Sequence, residues 1–240
     1  MRNLLLTGGP GHDFDAIGTE LVSLLDDVGI ETTTVTDPRV AIGLLALEGS
    51  DAFDVLTVHA LRWRMAERPA EPDRSRHAFA LAAHEARALD DFVRAGGGLL
   101  ALHAAVICFD ADPTWRELCG AAWAWDRSTH PPHGEVQIAV TDAGRAHPLA
   151  SGLDDFVLVD EVYGFLDEVD GLEPLLASDH GGRTHPVCWA RPVGDGRVVT
   201  DVLGHDAASF AHPAHRQLVQ RAAAWVGGRE AVDPERLGVR

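Results

Sequence analysis

Histidines beside turn residues and carboxylates are where chemistry is to be sought in this chain. Its 240 residues include 13 histidines, several of them next to Pro, Gly or Asp: Gly11-His12-Asp13, His130-Pro131-Pro132-His133, His147-Pro148 and Gly204-His205-Asp206. Others close apolar runs, His59 after Val55-Leu56-Thr57-Val58 and His103 after Leu99-Leu100-Ala101-Leu102. His103, Glu161, Tyr163, Arg191, His205 and Asp206 are all attached to strand-like apolar segments. A polar group placed there is costly unless it meets a partner or a ligand. A shared polar pocket is therefore expected. Two chemistries suit it. Two imidazoles with a carboxylate (His103, Glu161, His205) could hold one divalent ion, zinc best, with a position left for a substrate hydroxyl or water. Without a metal, His103 or His205 could act as general base near neutral pH, with Glu161 as acid/base partner and Tyr163 as a donor to a substrate oxygen. His12, His59, His130, Arg191 and Asp206 would then contact substrate.

Each of these residues also has a structural reading. Asp160-Glu161 could be a solvated turn pair, and Asp206 could simply fix His205 in a strand-exit turn. Trp115, Trp123 and Trp125 could stack on the apolar face of a ligand or pack in the core or at an interface. Cys108, Cys119 and Cys188 lack CxxC spacing and read as buried, inert thiols. Gly8-Gly9-Pro10-Gly11 spells neither G-x-G-x-x-G nor a P-loop, so a tight turn is expected there and no nucleotide cofactor.

The elements that must position these groups alternate. Residues 3–7, 30–35, 54–59 and 99–103 read as short buried strands, residues 14–28 and 76–94 as helices ended by Gly29 and Gly96-Gly97-Gly98. Strand-like segments at 135–140, 156–159, 174–177, 186–190 and 197–203 precede a terminal helix over 212–226, whose Trp225 could face the sheet or a second copy of the chain. Alternation of this kind implies right-handed crossovers and a doubly wound, mostly parallel α/β sheet with helices on both faces, extended by antiparallel pairs from the later strands. In such a sheet ligands bind beyond the carboxyl ends of the strands, which places His12, His59 and His103 on one rim. Residues 62–76 and the tail 229–240 read as solvated, leaving a single domain over 1–228.

Composition narrows the partners. A formal charge of −17 repels phosphate backbones and anionic lipid, so neither nucleic acid nor a membrane surface is expected. The opening apolar stretch, Leu4 to Leu6, is too short for a signal or a span. With three unpaired cysteines, a cytoplasmic location follows.

Taken in order, Gly96-Gly97-Gly98-Leu99-Leu100-Ala101-Leu102-His103, Trp115-Arg116-Glu117-Leu118-Cys119-Gly120, His147-Pro148-Leu149, Asp160-Glu161-Val162-Tyr163, His185-Pro186-Val187-Cys188-Trp189-Ala190-Arg191 and Gly204-His205-Asp206 resemble the ThuA-like (trehalose utilisation) family over nearly the whole chain. The resemblance implies a flavodoxin-related, class I glutamine amidotransferase-like fold in which the nucleophilic cysteine is replaced by the histidine-bearing strand end. It also implies a role in disaccharide or keto-sugar metabolism. Two functions are carried forward: an enzyme acting on a sugar or keto-sugar glycoside, and a catalytically silent sugar-binding or interaction module on the same scaffold.

Overall fold

A computed structural model describes residues 1–66 and 74–228. In chain order the elements are β1 (Arg2–Gly8), α1 (Phe14–Asp26), β2 (Glu31–Val35), α2 (Pro38–Leu44), β3 (Val55–Ala60), α3 (Arg74–His77), α4 (Ala83–Arg94), β4 (Gly98–Leu102), α5 (Pro113–Cys119), β5 (Ala121–Ala122), β6 (Gly134–Val140), α6 (Asp142–Ala146), β7 (Phe156–Asp160), β8 (Asp167–Glu168), β9 (Pro174–His180), β10 (Arg183–Val193), β11 (Gly196–Asp201), α7 (Ala207–Ala211) and α8 (Pro213–Val226).

Nine strands form one sheet in the order β2-β1-β3-β4-β11-β10-β9-β6-β7. Five of them, β2, β1, β3, β4 and β11, are parallel, and β10, β9, β6 and β7 extend the sheet by antiparallel pairing. The parallel strands are apolar on both faces because helices cover both. Leu5, Leu100 and Val199 pack with Ile17, Leu21 and Leu24 of α1 and Leu218 and Ala222 of α8 on one face. Leu4, Leu6, Leu56 and Leu99 pack with Ile42 of α2, Leu89 of α4 and Trp115 of α5 on the other. Helix α1 begins where Asp13 accepts the Ala16 N–H at 3.0 Å. Helix α4 begins where the Glu85 carboxylate turns back to the Ala82 N–H at 2.7 Å.

Three expectations are corrected, and one open alternative is decided. The helix read over 76–94 starts at Ala83, after the separate turn of α3. The strand read as ending on His103 stops at Leu102, and His103 opens a 3-10 turn at φ +48°. Within the segment read as solvated, Arg62, Trp63 and Met65 are buried, because that stretch is hydrogen-bonded to the loop at Cys108 to Asp110; residues 67–73 lie outside the described residues, as does the tail 229–240. Finally, Val219 and Val226 are buried within the chain, and Trp225 packs on the Arg197 guanidinium and the His147 ring, so these side chains face the protein's own core. Among the described residues no helix is long and apolar enough to cross a membrane.

Candidate functional site

The carboxyl ends of β1, β3, β4 and β11 lie side by side: Gly8 pairs with Ala60, and Asp201 with Leu102. The end of β7 is four strands away from β11 in sheet order, yet Asp160 reaches the β11 exit loop and accepts the N–H groups of Gly204 and His205 at 2.8 and 3.1 Å. Coiling of the antiparallel half therefore carries Glu161 and Tyr163 over the parallel rim. Gly9 lets the first loop fold down onto β3. Its φ is +139°, and a Cβ there would lie 2.4 Å from the Leu61 carbonyl, so a larger residue would lift His12 off the rim.

These loops enclose a cavity of about 280 Å³ with two unlike walls. Trp63, Trp125, Leu61 and Ile107 line one part and His12, His130, Glu161, Tyr163 and His205 another, with Trp123 between them, its ring 5.2 Å from that of Tyr163. Trp63 and Trp125 stack with ring centroids 6.0 Å apart. Beneath the polar wall lies His103, fully buried. Its Nδ1–H donates to the Val202 carbonyl at 3.0 Å, which leaves the Nε2 lone pair directed at the cavity. That Nε2 is 3.1 Å from Nε2 of His12, 3.0 Å from the Tyr163 hydroxyl and 3.7 Å from Oε2 of Glu161. The Glu161 carboxylate also lies 3.2 Å from Nδ1 of His205 and 3.4 Å from Nδ1 of His130.

Burial sets the protonation states. It lowers His12 to about 4, helped by the neighbouring His205 and His59, and lowers His59 to about 4 as well. Burial and the adjacent imidazoles hold His103 well below the usual histidine range. The Tyr163 phenol is pushed well above its ordinary value, first by burial and then by Glu161. At pH 7 His12 and His103 therefore present neutral imidazoles as lone-pair donors, and Tyr163 a protonated phenol as a hydrogen-bond donor.

The geometry brings His103, Glu161, Tyr163 and His205 together and adds His12 as their direct neighbour. His130 joins the wall. His59 lies behind it: its ring stacks on His103 at 6.2 Å, and its Nε2–H donates to the Gly204 carbonyl at 2.9 Å. Arg191 is not brought to the cavity. Its Nη1 donates to the Glu117 carbonyl at 2.8 Å, at the other end of the sheet, because β10 runs antiparallel to β11. Asp206 caps α7 by accepting the Ser209 N–H at 2.9 Å, and its other oxygen faces His133 rather than the cavity. Of the tryptophans, Trp123 and Trp125 line the cavity, whereas Trp115 is core and donates to the Ala105 carbonyl at 2.8 Å. Cys108 donates to the Ala60 carbonyl at 3.1 Å, and burial pushes its thiol up to about 12; Cys119 and Cys188 are buried too.

Residues that sequence reasoning passed over do much of the positioning. Asp160 is fully buried and takes the Glu161 N–H at 2.7 Å and the Ser209 hydroxyl besides the two N–H groups of the β11 loop. Ser209 in turn lies 3.0 Å from His215, whose other nitrogen is 3.0 Å from Asp201. An aspartate directly after the apolar run 156–159 was the available signal, since a strand end inside a rim is a poor place for an unpartnered carboxylate. Trp63 carried no signal, lying in a stretch of mixed charge and proline.

The comparisons with known proteins agree with this fold. No curated protein matches the chain in sequence. Among solved structures, a ThuA-like protein from Parabacteroides merdae is similar at 18% identity and a TM-score of 0.76, covering 97% of this chain and 92% of that one. A protein from Salmonella typhimurium described as cytoplasmic shares the fold at 14% identity and a TM-score of 0.60, over 93% of this chain and 98% of that one. A β-galactosidase from Rahnella sp. R3 contains the same fold at 11% identity and a TM-score of 0.59, this chain being covered to 95% but that one to only 31%. In sequence, the trehalose-utilisation (ThuA) family matches residues 14–226, so the chain belongs to that family.

Proposed function

We propose that this protein is a carbohydrate-modifying enzyme acting on an uncharged sugar or keto-sugar glycoside by proton transfer at the histidine/carboxylate wall. The observation that carries the reading is the pairing, across one cavity, of a tryptophan wall with a cluster of imidazoles around Glu161. Indole faces suit the C–H face of a sugar ring, while the opposite wall meets its oxygens. Among the described residues, the cavity lining holds one carboxylate and no guanidinium, which favours a substrate without phosphate or acid groups. Membership of the trehalose-utilisation family supports a carbohydrate role.

All twenty basic residues are arginine, so a lysine Schiff base is unavailable for carbonyl chemistry and proton transfer must do the work. The imidazole of His130, which flanks Glu161, removes the proton from the carbon beside a keto group. The bonding pair moves into a carbon–carbon double bond as the carbonyl oxygen takes up charge, stabilised by the Tyr163 O–H. Return of the proton to the neighbouring carbon isomerises the sugar. Departure of a glycosidic oxygen instead, protonated by the same wall, eliminates the second sugar. A cytoplasmic setting fits three buried free thiols.

Turnover of a labelled keto-disaccharide by the native chain and by Tyr163→Phe tests the reading. Product formation that falls by 10²-fold or more in the variant supports it. Saturable binding without product would make the chain a binding module, and neither binding nor product with sugars would overturn the assignment.

A further inference from the structure

The polar wall holds more lone pairs than its hydrogen bonds use. His12, His103, Glu161 and His205 each offer one ligand atom, and these atoms all lie within 4.8 Å of one another. Nε2 of the buried His103 faces Nε2 of the partly buried His12 at 3.1 Å, with a carboxylate oxygen of Glu161 3.7 Å from the former. We propose that these four residues bind one divalent first-row transition-metal ion, whatever sugar the cavity accepts.

The distances suit such an ion. Bonds of about 2.0–2.1 Å in a tetrahedral zinc site separate neighbouring ligand atoms by roughly 3.3 Å, close to the 3.1 Å between His12 and His103 and the 3.2 Å between His205 and Glu161. The tautomer suits it as well. The nitrogen of His103 that faces away from the cluster donates to a backbone carbonyl, the outer hydrogen bond that orients a ligating imidazole. Asp160 gives the same support to two further members by fixing the backbone N–H groups of Glu161 and His205.

Ligand type selects the ion. Three imidazoles and one carboxylate, with no thiolate, suit zinc, cobalt, iron or nickel better than calcium or magnesium, which take oxygen ligands. The tryptophan side of the cavity leaves room for a fifth ligand, a carbonyl or hydroxyl oxygen. His12 lies ahead of residue 14, where the family match begins, so this site is completed by a residue that the match does not cover. His130 touches Glu161 through its other carboxylate oxygen and remains outside the ligand set.

The test uses the full chain, purified without a histidine tag, stripped with a chelator and titrated with Zn²⁺ alone, with elemental analysis of the loaded protein. About one zinc per chain is expected, with affinity reduced at least 100-fold in His12→Ala and Glu161→Gln and unchanged in His180→Ala, a histidine outside the site. Cobalt loading adds a visible d–d spectrum that these two site variants lose. Circular dichroism checks folding, and should either variant unfold, the other decides. Absence of saturable uptake, or uptake unchanged in both site variants, overturns the proposal. His130→Ala separates it from the sugar reading, since it is expected to keep its zinc while losing turnover. Zinc bound by a chain that handles no sugar would sink only the sugar reading, and turnover without zinc only the metal.

Discussion

Asp160 and His205, 45 positions apart in the chain, are joined by a hydrogen bond of 3.1 Å from the His205 backbone N–H to the Asp160 carboxylate. The same carboxylate takes three further donors, from Glu161, Gly204 and Ser209, so one buried anion ties the end of β7 to the loop after β11. Asp160→Asn would turn an amide NH₂ toward at least one backbone N–H, that of Gly204 or those of Glu161 and His205, which can only donate. A buried donor left facing donors costs its full desolvation penalty, so the variant is expected to lose about 3 kcal/mol in urea unfolding. A loss well under 1 kcal/mol would mean that the loop is held by other contacts.

His103 sits at φ +48°, a conformation that an L side chain adopts at a cost of about 1–2 kcal/mol. The surrounding bonds, from Val202, Tyr163 and His12, hold it there. His103→Ala removes those bonds and keeps the strain, whereas His103→Gly removes both. The glycine variant is therefore expected to be the more stable of the two by about 1 kcal/mol, even though glycine raises the entropy of the unfolded chain. Equal thermal midpoints for the two variants would show that the turn is unstrained.

The parallel half of the fold was legible because buried parallel strands are short apolar runs and the helices between them keep a 3.6-residue period, as Ile17, Leu21 and Leu24 do. The short elements α2, α6 and α7 were not, since five to seven residues carry too little periodicity. Site residues at the ends of parallel strands, His59 and His103, were placed on the rim by topology alone. Arg191 was misplaced because its strand lies in the antiparallel half, where the direction of β10 sends a polar residue to the opposite end of the sheet. The approach of β7 to β11 depends on sheet coiling, which no local pattern encodes. Hence Glu161 could be chosen as a polar residue on an apolar strand, while the role of Asp160 beside it went unread.

Trp125 and Trp63 stack on one another yet should behave oppositely. Trp125 is 41% exposed at the cavity mouth, and Trp63 is 3% exposed behind it. Trp125→Ala is expected to weaken binding of a neutral disaccharide such as trehalose about tenfold, a loss of about 1.4 kcal/mol, with little change in thermal midpoint. Trp63→Ala is expected to cost about 3–5 kcal/mol of stability through the void it leaves. Calorimetric titration with the sugar and thermal melting, both run on each variant, check the pair. Unaltered sugar affinity in folded Trp125→Ala would remove the indole wall from recognition.

The buried imidazoles give the protein an acid limb whose sign follows from their protonation. His59 and His12 titrate near 4 when folded and near 6.5 when unfolded, because burial disfavours the charged ring. Between those values the unfolded chain binds more protons than the native one, so stability rises with pH across about 4 to 6.5 and falls as pH is lowered through that window. His215 acts in the opposite sense. Although burial alone would lower it, the Asp201 and Asp160 carboxylates raise it above its ordinary value. Its contribution is therefore complete below about 6.5 and is lost only as pH rises through the raised value. His59→Gln keeps a donor for the Gly204 carbonyl but cannot take up a proton. Urea unfolding at pH 4.5, 5.5, 7 and 8, with a chelator present so that no bound ion adds its own pH dependence, should show a shallower acid limb for His59→Gln. A fully buried group shifted from 6.5 to about 4 accounts for up to about 3 kcal/mol over that window. Parallel profiles for the two proteins between pH 4.5 and 7 would mean that His59 is not held neutral by burial.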